Sequence, residues 1–110
     1  MMFTMNCSKS DVVLLPIPFT DLSSAKVRPA VVVGFAPRFG DLFLVAVTSN
    51  LGNGEIRIKD WKKSGLNVPS AIKGQLTTAE ARLVRKVVGR LSVADSFHLE
   101  ERLREWLDLD

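Results

Sequence analysis

The sequence contains one cysteine, Cys7, and one histidine, His98. A single cysteine excludes an internal disulfide, and a single histidine excludes two-histidine acid–base catalysis within one chain. No cluster of histidine, cysteine or carboxylate residues has metal-ligand spacing, so neither a metal nor a cofactor is expected. There is no GxxxxGK[ST] loop to cradle a phosphate. No apolar run reaches membrane-spanning length. The opening MMFTMNCSKS lacks a basic stretch followed by an apolar one, so it does not read as a signal peptide. Repeats and low-complexity tracts are absent as well. The expectation left by these gaps is a cytoplasmic protein with no membrane contact.

What is present suits one globular domain. The chain has 110 residues, 46% hydrophobic and 25% charged, enough to bury a single core. Residues 1–10 read as a flexible leader in which Cys7 is structurally idle, and residues 11–110 as the domain. The net charge of +3 is unevenly spread. From Ser92 onward six acids face two bases, a net −4, which leaves +7 on residues 1–91. A basic body of this kind suits a polyanion or an acidic peptide, and equally a plain solvated surface.

Short β-favouring runs separated by Gly and Pro turns predict a mainly β chain. Strands are expected over Asp11–Pro18, Arg28–Phe35 and Leu42–Thr48. A half-exposed strand is expected over Glu55–Lys59, where charged and apolar residues alternate. Asp60 can cap one helical turn that Gly65 ends. Pro69–Thr78 reads as short extended material. The segment EARLVRKVVGRL is ambiguous by periodicity, and Gly89 with its β-branched neighbours favours a strand over Leu83–Leu91. Ser92 then caps a C-terminal helix, with Asp95 in the first turn. Val93, Phe97, Leu99, Leu103, Trp106 and Leu107 share its apolar face, while Asp95, His98, Glu101, Arg102 and Glu105 lie on the other. Five or six short strands and one helix suggest a small barrel.

One stretch, PIPFTDLSSAKVRPAVVVG from Pro16 to Gly34, sets a polar loop and then Arg28-Pro29 at the mouth of a Val-rich strand. Pro29 holds Arg28 out of helical geometry. Together with VAVTSN, GLNVPSAIKGQLTT and RKVVGRLSVAD, in that order, this stretch resembles the PemK/MazF family of toxin–antitoxin toxins over about Asp11 to Leu109. The resemblance implies an SH3-like β-barrel with a C-terminal α-helix, forming a homodimer. It implies a metal-independent endoribonuclease acting on single-stranded RNA, often mRNA, and an antitoxin protein that neutralises it by occupying the RNA groove. In the family, the Arg of the Arg-Pro motif and the Thr ending the third strand are active-site residues; these match Arg28 and Thr48. Many relatives carry Arg and Asp two residues apart where this chain has Lys73 and Gln75. Lys keeps the charge without the planar fork that grips phosphate with two bonds, and Gln has no carboxylate to act as a base. The frequent Gly before the first strand's Asp-Val is Ser10 here.

The chemistry such an enzyme needs can be met by these residue types. The RNA 2′-hydroxyl attacks the adjacent phosphate, and the protein must stabilise a more highly charged phosphorane. Arg28 offers up to five N–H donors and a permanent charge. Thr48 and Ser49 would donate hydroxyl hydrogen bonds to the same phosphate. Lys73 and Lys26 would add cations, Gln75 would read a base edge or orient RNA, and Trp61 beside Lys62 and Lys63 is a candidate for base stacking. Each has a plainer reading: Arg28 a surface charge, Thr48 a turn residue, Trp61 and Trp106 packing. Two other functions stay open. A toxin of the same barrel can bind DNA gyrase without cutting RNA, and then Trp106 near the C-terminal helix should matter and Arg28 should not. A degenerate member would only bind RNA or antitoxin.

Overall fold

β-Branched residues crowd the pleat and build the strands. The computed structural model describes residues 6–17 and 26–110. Its elements are β1 (Asp11–Pro16), β2 (Val27–Ala36), β3 (Asp41–Thr48), β4 (Ile56–Arg57), β5 (Ala71–Glu80), β6 (Lys86–Arg90) and α1 (Val93–Trp106). The strands form one antiparallel sheet in the order β4-β5-β3-β2-β1-β6, curled into a half-barrel. Pro18 and nearly all of the expected Thr20–Lys26 loop lie outside the described residues.

Period-2 alternation divides the strands between two cores. Val12, Val31, Val45, Val47 and Ile72 point to one face, where Ile58, Leu91 and Leu99 of α1 cover them. Val13, Leu15, Ala30, Val32, Leu42 and Leu44 point to the other, packed with Ile17 and Val84. Cross-strand pairing fixes this division: Val12 opposes Val31, Val13 opposes Ala30, and Leu15 opposes Arg28. The ladder is broken where Val45 pairs with Leu76 and Val47 with Ile72. Between those pairs Lys73, Gly74 and Gln75 of β5 bulge opposite Ala46 alone.

Glycine is required where two backbones touch. A Cβ on Gly89 would come 2.3 Å from the Ser64 carbonyl oxygen, and one on Gly65 would come 2.1 Å from that of Val88. Gly65 also has φ +89°, in the left-handed region. The turn that Gly65 ends is thereby pressed onto β6. Ser64 N–H donates to the Asp60 carbonyl at 3.0 Å, as the expected helical turn requires.

Several boundaries differ from the sequence expectation. The strand expected over Glu55–Lys59 is only Ile56–Arg57. The Asp95 carboxylate explains why, because it accepts the N–H groups of Lys59 at 3.1 Å and Asp60 at 2.9 Å and draws the backbone from the sheet toward α1. Asp95, expected on the solvent face, is thus buried. The Leu51–Gly54 loop contains a 3-10 turn at Leu51–Asn53, where Asn50 Oδ1 accepts the Gly52 N–H. Pro69–Thr78 turns out to hold most of ten-residue β5. The strand expected over Leu83–Leu91 begins only at Lys86, after a 3-10 turn at Ala81–Leu83.

The helix starts as the sequence implies, with Ser92 Oγ accepting the Asp95 N–H at 3.1 Å. Its apolar arc is wider than the surface that covers it. Leu99 is buried, and Leu103 and Trp106 are half-buried, but Val93 is 88% and Phe97 57% exposed, and Leu107 is also exposed. At 100° per residue, Val93 and Phe97 lie roughly 120° and 160° round the helix from Leu99, past the line of contact. The described part of the expected leader is held to the body. Ser10 N–H donates to the Val32 carbonyl at 2.7 Å, and Lys9 pairs with Glu100 at 2.6 Å. Ser10 has φ +76°, which accounts physically for glycine being suited to that position. No helix among the described residues is long and apolar enough to cross a membrane.

Candidate functional site

The residues singled out from the sequence are spread over β2, β3 and β5, and strand pairing decides whether they meet. Arg28 opposes Leu15, so its side chain belongs to the face of the second core. Ala30 opposes Ala46 on β3. Two residues further along each strand, in opposite directions, are Arg28 and Thr48, which share the parity of that pair. Thr48 in turn opposes Ala71 of β5, and Lys73 and Gln75 follow Ala71 at alternate positions. Lys26 lies two residues before Arg28, and its carbonyl accepts the Ile17 N–H at 3.4 Å. Lys26, Arg28, Thr48, Lys73 and Gln75 therefore fall on one side of three neighbouring strands. Two strand spacings, about 10 Å, separate the Arg28 strand from the Lys73 strand.

Local chemistry leaves these groups available. Arg28 and Lys26 are exposed, and among the described residues no carboxylate lies within ion-pair distance of either. Thr48 Oγ1 accepts the Asn50 N–H at 3.0 Å, so the turn orients the hydroxyl while its own proton stays free to donate. Ser49, next in the chain, is exposed. Lys73 and Gln75 are half-buried, and the Gln75 carbonyl oxygen is shielded from solvent with no donor among the described residues. Between them Gly74 faces the other way. A Cβ there would stand 3.3 Å from Glu55 Cγ and within 3.9 Å of the Trp106 ring.

Two expected contributors sit elsewhere. Trp61 packs against the helix-side core, with the Lys62 ammonium 5.6 Å from its ring centroid. It is on the opposite side of the sheet from Arg28, which corrects its placement beside the other candidates; its half-buried ring packs there. His98 is exposed on α1, beside a concavity it shares with Glu55, Arg57, Glu101 and Arg102. Cys7 is half-buried against the second core; burial first, then the nearby Asp11 charge, push its thiol pKa up and away from the reactive thiolate. Among the described residues, no three His, Cys, Asp or Glu side chains gather as a metal site would need.

The structure adds one cation that sequence reading passed over. Arg85 is exposed, and its N–H donates to the Leu14 carbonyl at 2.8 Å, beside the strand that pairs with Arg28. It lay in the segment whose periodicity was ambiguous, and only the β1–β6 pairing brings it here. Chemically, the face can hold the phosphates of a polyanion through several cations, with a hydroxyl donor and an amide placed among them.

Comparison with known proteins fits this architecture. Residues 8–107 match the family model described as PemK-like, MazF-like toxin of type II toxin–antitoxin systems. No protein with a curated description matches the sequence. Among solved structures, the fold is similar to the Mycobacterium tuberculosis toxin MazF-mt6. The TM-score is 0.71 at 17% identity, covering 91% of this chain and 98% of that one.

Proposed function

The chain belongs to the PemK-like, MazF-like toxins of type II toxin–antitoxin systems, and on that premise we propose that it is an endoribonuclease that cuts single-stranded RNA, mRNA included, without a metal ion. The observation that carries this reading is the shared face of Lys26, Arg28, Thr48 and Lys73, with the Arg28 guanidinium in no ion pair among the described residues. A cation buried in an ion pair would have its donors occupied; Arg28 is exposed, and none of the described residues pairs with it.

In the proposed step the 2′-oxygen bonds to phosphorus and the bond from phosphorus to the 5′-oxygen breaks. The 2′-hydroxyl proton passes to solvent, and a proton reaches the departing 5′-oxygen from Arg28, which regains it from water. The products are a 2′,3′-cyclic phosphate and a 5′-hydroxyl, and no water is consumed. Arg28 and the Thr48 hydroxyl act mainly by donating to the phosphorane oxygens, whose charge grows as the bond forms. Ser49 adds a donor beside Thr48. Lys26 and Lys73 hold flanking phosphates, so binding should weaken with salt, with a slope of about −0.7 per phosphate contact.

Type II toxins act with an antitoxin, and the acidic segment expected of that partner would neutralise this protein by covering the same basic face. The working form is a cytoplasmic homodimer, for which sedimentation should give twice the chain mass. The deciding experiment incubates purified protein with defined single-stranded RNA and maps the new ends. Cyclic-phosphate and 5′-hydroxyl ends, formed equally well in EDTA, are expected. RNA left intact, or full activity in Arg28→Ala, would overturn the assignment. Binding without cleavage would select the degenerate alternative.

A further inference from the structure

The bulge in β5 is the feature that the cleavage chemistry leaves unused. Lys73, Gly74 and Gln75 stand opposite a single residue of β3, so the strand is bent where the candidate face ends. The bulge is backed from the helix side. Gly74 rests against Glu55 and Trp106. Arg102 lies over the Trp106 ring at 5.5 Å, donates to the Glu55 carbonyl at 3.4 Å and approaches the Glu55 carboxylate at 3.6 Å. The Arg102 Nε stands 3.6 Å from Glu105 and makes no hydrogen bond, so this cluster is held by charge and stacking more than by close donor geometry. A Cβ in place of the Gly74 hydrogen would press on Glu55 Cγ at 3.3 Å and touch the Trp106 ring at ordinary contact distance. The bulge is thus a supported element, and such support is what a specificity contact requires.

On the opposite side the Gln75 amide is half-buried, and its carbonyl oxygen is turned inward without a donor. An unsatisfied amide oxygen disfavours the closed arrangement, and a side-chain rotamer that swings the whole amide outward offers both an acceptor and a donor side by side. Glutamine matches the adenine edge in this way: its oxygen accepts from the N6 amine while its NH₂ donates to N7. Adenine presents an amine beside a ring nitrogen on two of its edges, at N1 and at N7, so an unpaired adenine can meet the amide in two orientations. Lys73, two residues away on the same side, is placed to hold the phosphate next to such a base.

We propose that the Lys73–Gln75 bulge is a base-selecting element, in which the Gln75 amide reads an adenine flanking the scissile phosphate and the Glu55–Arg102–Trp106 cluster holds the bulge in position. This rests on the ribonuclease reading above. The test has two stages. A random-sequence single-stranded RNA pool is cleaved by wild type, Gln75→Leu and Gln75→Glu, and the new ends are sequenced. Adenine enrichment at one flanking position is expected for wild type; it should vanish for Gln75→Leu and fall for Gln75→Glu, whose carboxylate has no hydrogen to donate to the adenine ring nitrogen. A defined RNA is then made with that adenosine replaced by purine riboside, which lacks the N6 amine. Wild type should cleave it about tenfold more slowly, as the loss of one hydrogen bond at a site built to make it implies, and Gln75→Leu should treat both RNAs alike.

No adenine preference in wild type, a preference unchanged in Gln75→Leu, or one undiminished in Gln75→Glu would each overturn the proposal while leaving the ribonuclease reading in place. RNA untouched by wild type would instead remove that parent reading, and this one with it. Circular dichroism of the variants, matching wild type, keeps a folding failure from imitating lost selectivity.

Discussion

The two sides of the curled sheet treat polar residues in opposite ways. On the helix side, the buried carboxylate of Asp95 is tied down. Asp95 accepts two backbone N–H groups, of Lys59 and Asp60. At the open end of the other side, Lys26, Arg28 and Gln75 have no such partners among the described residues. Desolvating a polar group without a partner is costly, so folding explains the partners of Asp95. The set on the other side makes no such contacts among the described residues, and under the proposed ribonuclease function its role would be to bind phosphate and base.

Variants on each side can sharpen or break that contrast. The largest effect is expected for Arg28→Ala: RNA cleavage should fall by about 10²–10³-fold or more, the loss of a preorganised charge donor, with an unchanged melting temperature. A melting temperature that drops with activity would make Arg28 structural and erase the difference between the sides. Gly89→Ala should do the reverse. Its Cβ meets the Ser64 carbonyl at 2.3 Å, and we expect a loss of about 3 kcal/mol in urea unfolding, comparable to overpacking. Any activity change should then scale with the unfolded fraction.

Asp95→Ala should cost about 2–3 kcal/mol, since two buried N–H groups lose a charged acceptor. Exchange of the Lys59 and Asp60 amides should rise in this variant, and amides that stay protected would break the proposed anchoring role. The smallest effect belongs to the exposed Lys9–Glu100 pair. The hydrogen bond and charge of Lys9 hold the Glu100 carboxyl below its ordinary range. A depressed carboxylate contributes stability above its unfolded pKa and loses it as pH falls through the folded one. Lys9→Ala should therefore flatten the acidic limb of the stability–pH curve slightly and leave the neutral plateau close to wild type, as exposed pairs contribute little. A large change at neutral pH would show that the pair anchors residues 6–10 more firmly than its exposure implies.

Much of this was legible in the sequence. The β-branched runs marked β1, β2 and β3 within one or two residues, because strand propensity and turn residues act locally. Ser92 announced the helix because its cap is made within one turn. Arg28-Pro29 could be picked out because a proline constrains its neighbour wherever it stands. Other features were hidden. Asp95 reads as a solvent-facing acid, since nothing near it in the chain reveals that Lys59 and Asp60 need its oxygens. β5 reads only as short extended material, because beyond Ile72 its residues are half-buried or exposed and show no apolar alternation in the sequence. Trp61, flanked by lysines, reads as a stacking platform beside Arg28, and only the packing of its half-buried ring against the helix-side core shows that it lies across the sheet.

Sequence by itself determined which segments become strands, where the helix begins, and which side chains carry charge and hydroxyls suited to phosphate. Those properties follow from backbone preferences and short-range bonds over a few residues. Tertiary structure alone decided that residues 26, 28, 48, 73 and 75 share a side of the sheet, and that Gly89 must leave room for Ser64. A one-residue slip in pairing would turn every side chain of a strand to the other face. Register between strands so far apart in the chain is set by how the two cores fill, which no local stretch of sequence encodes.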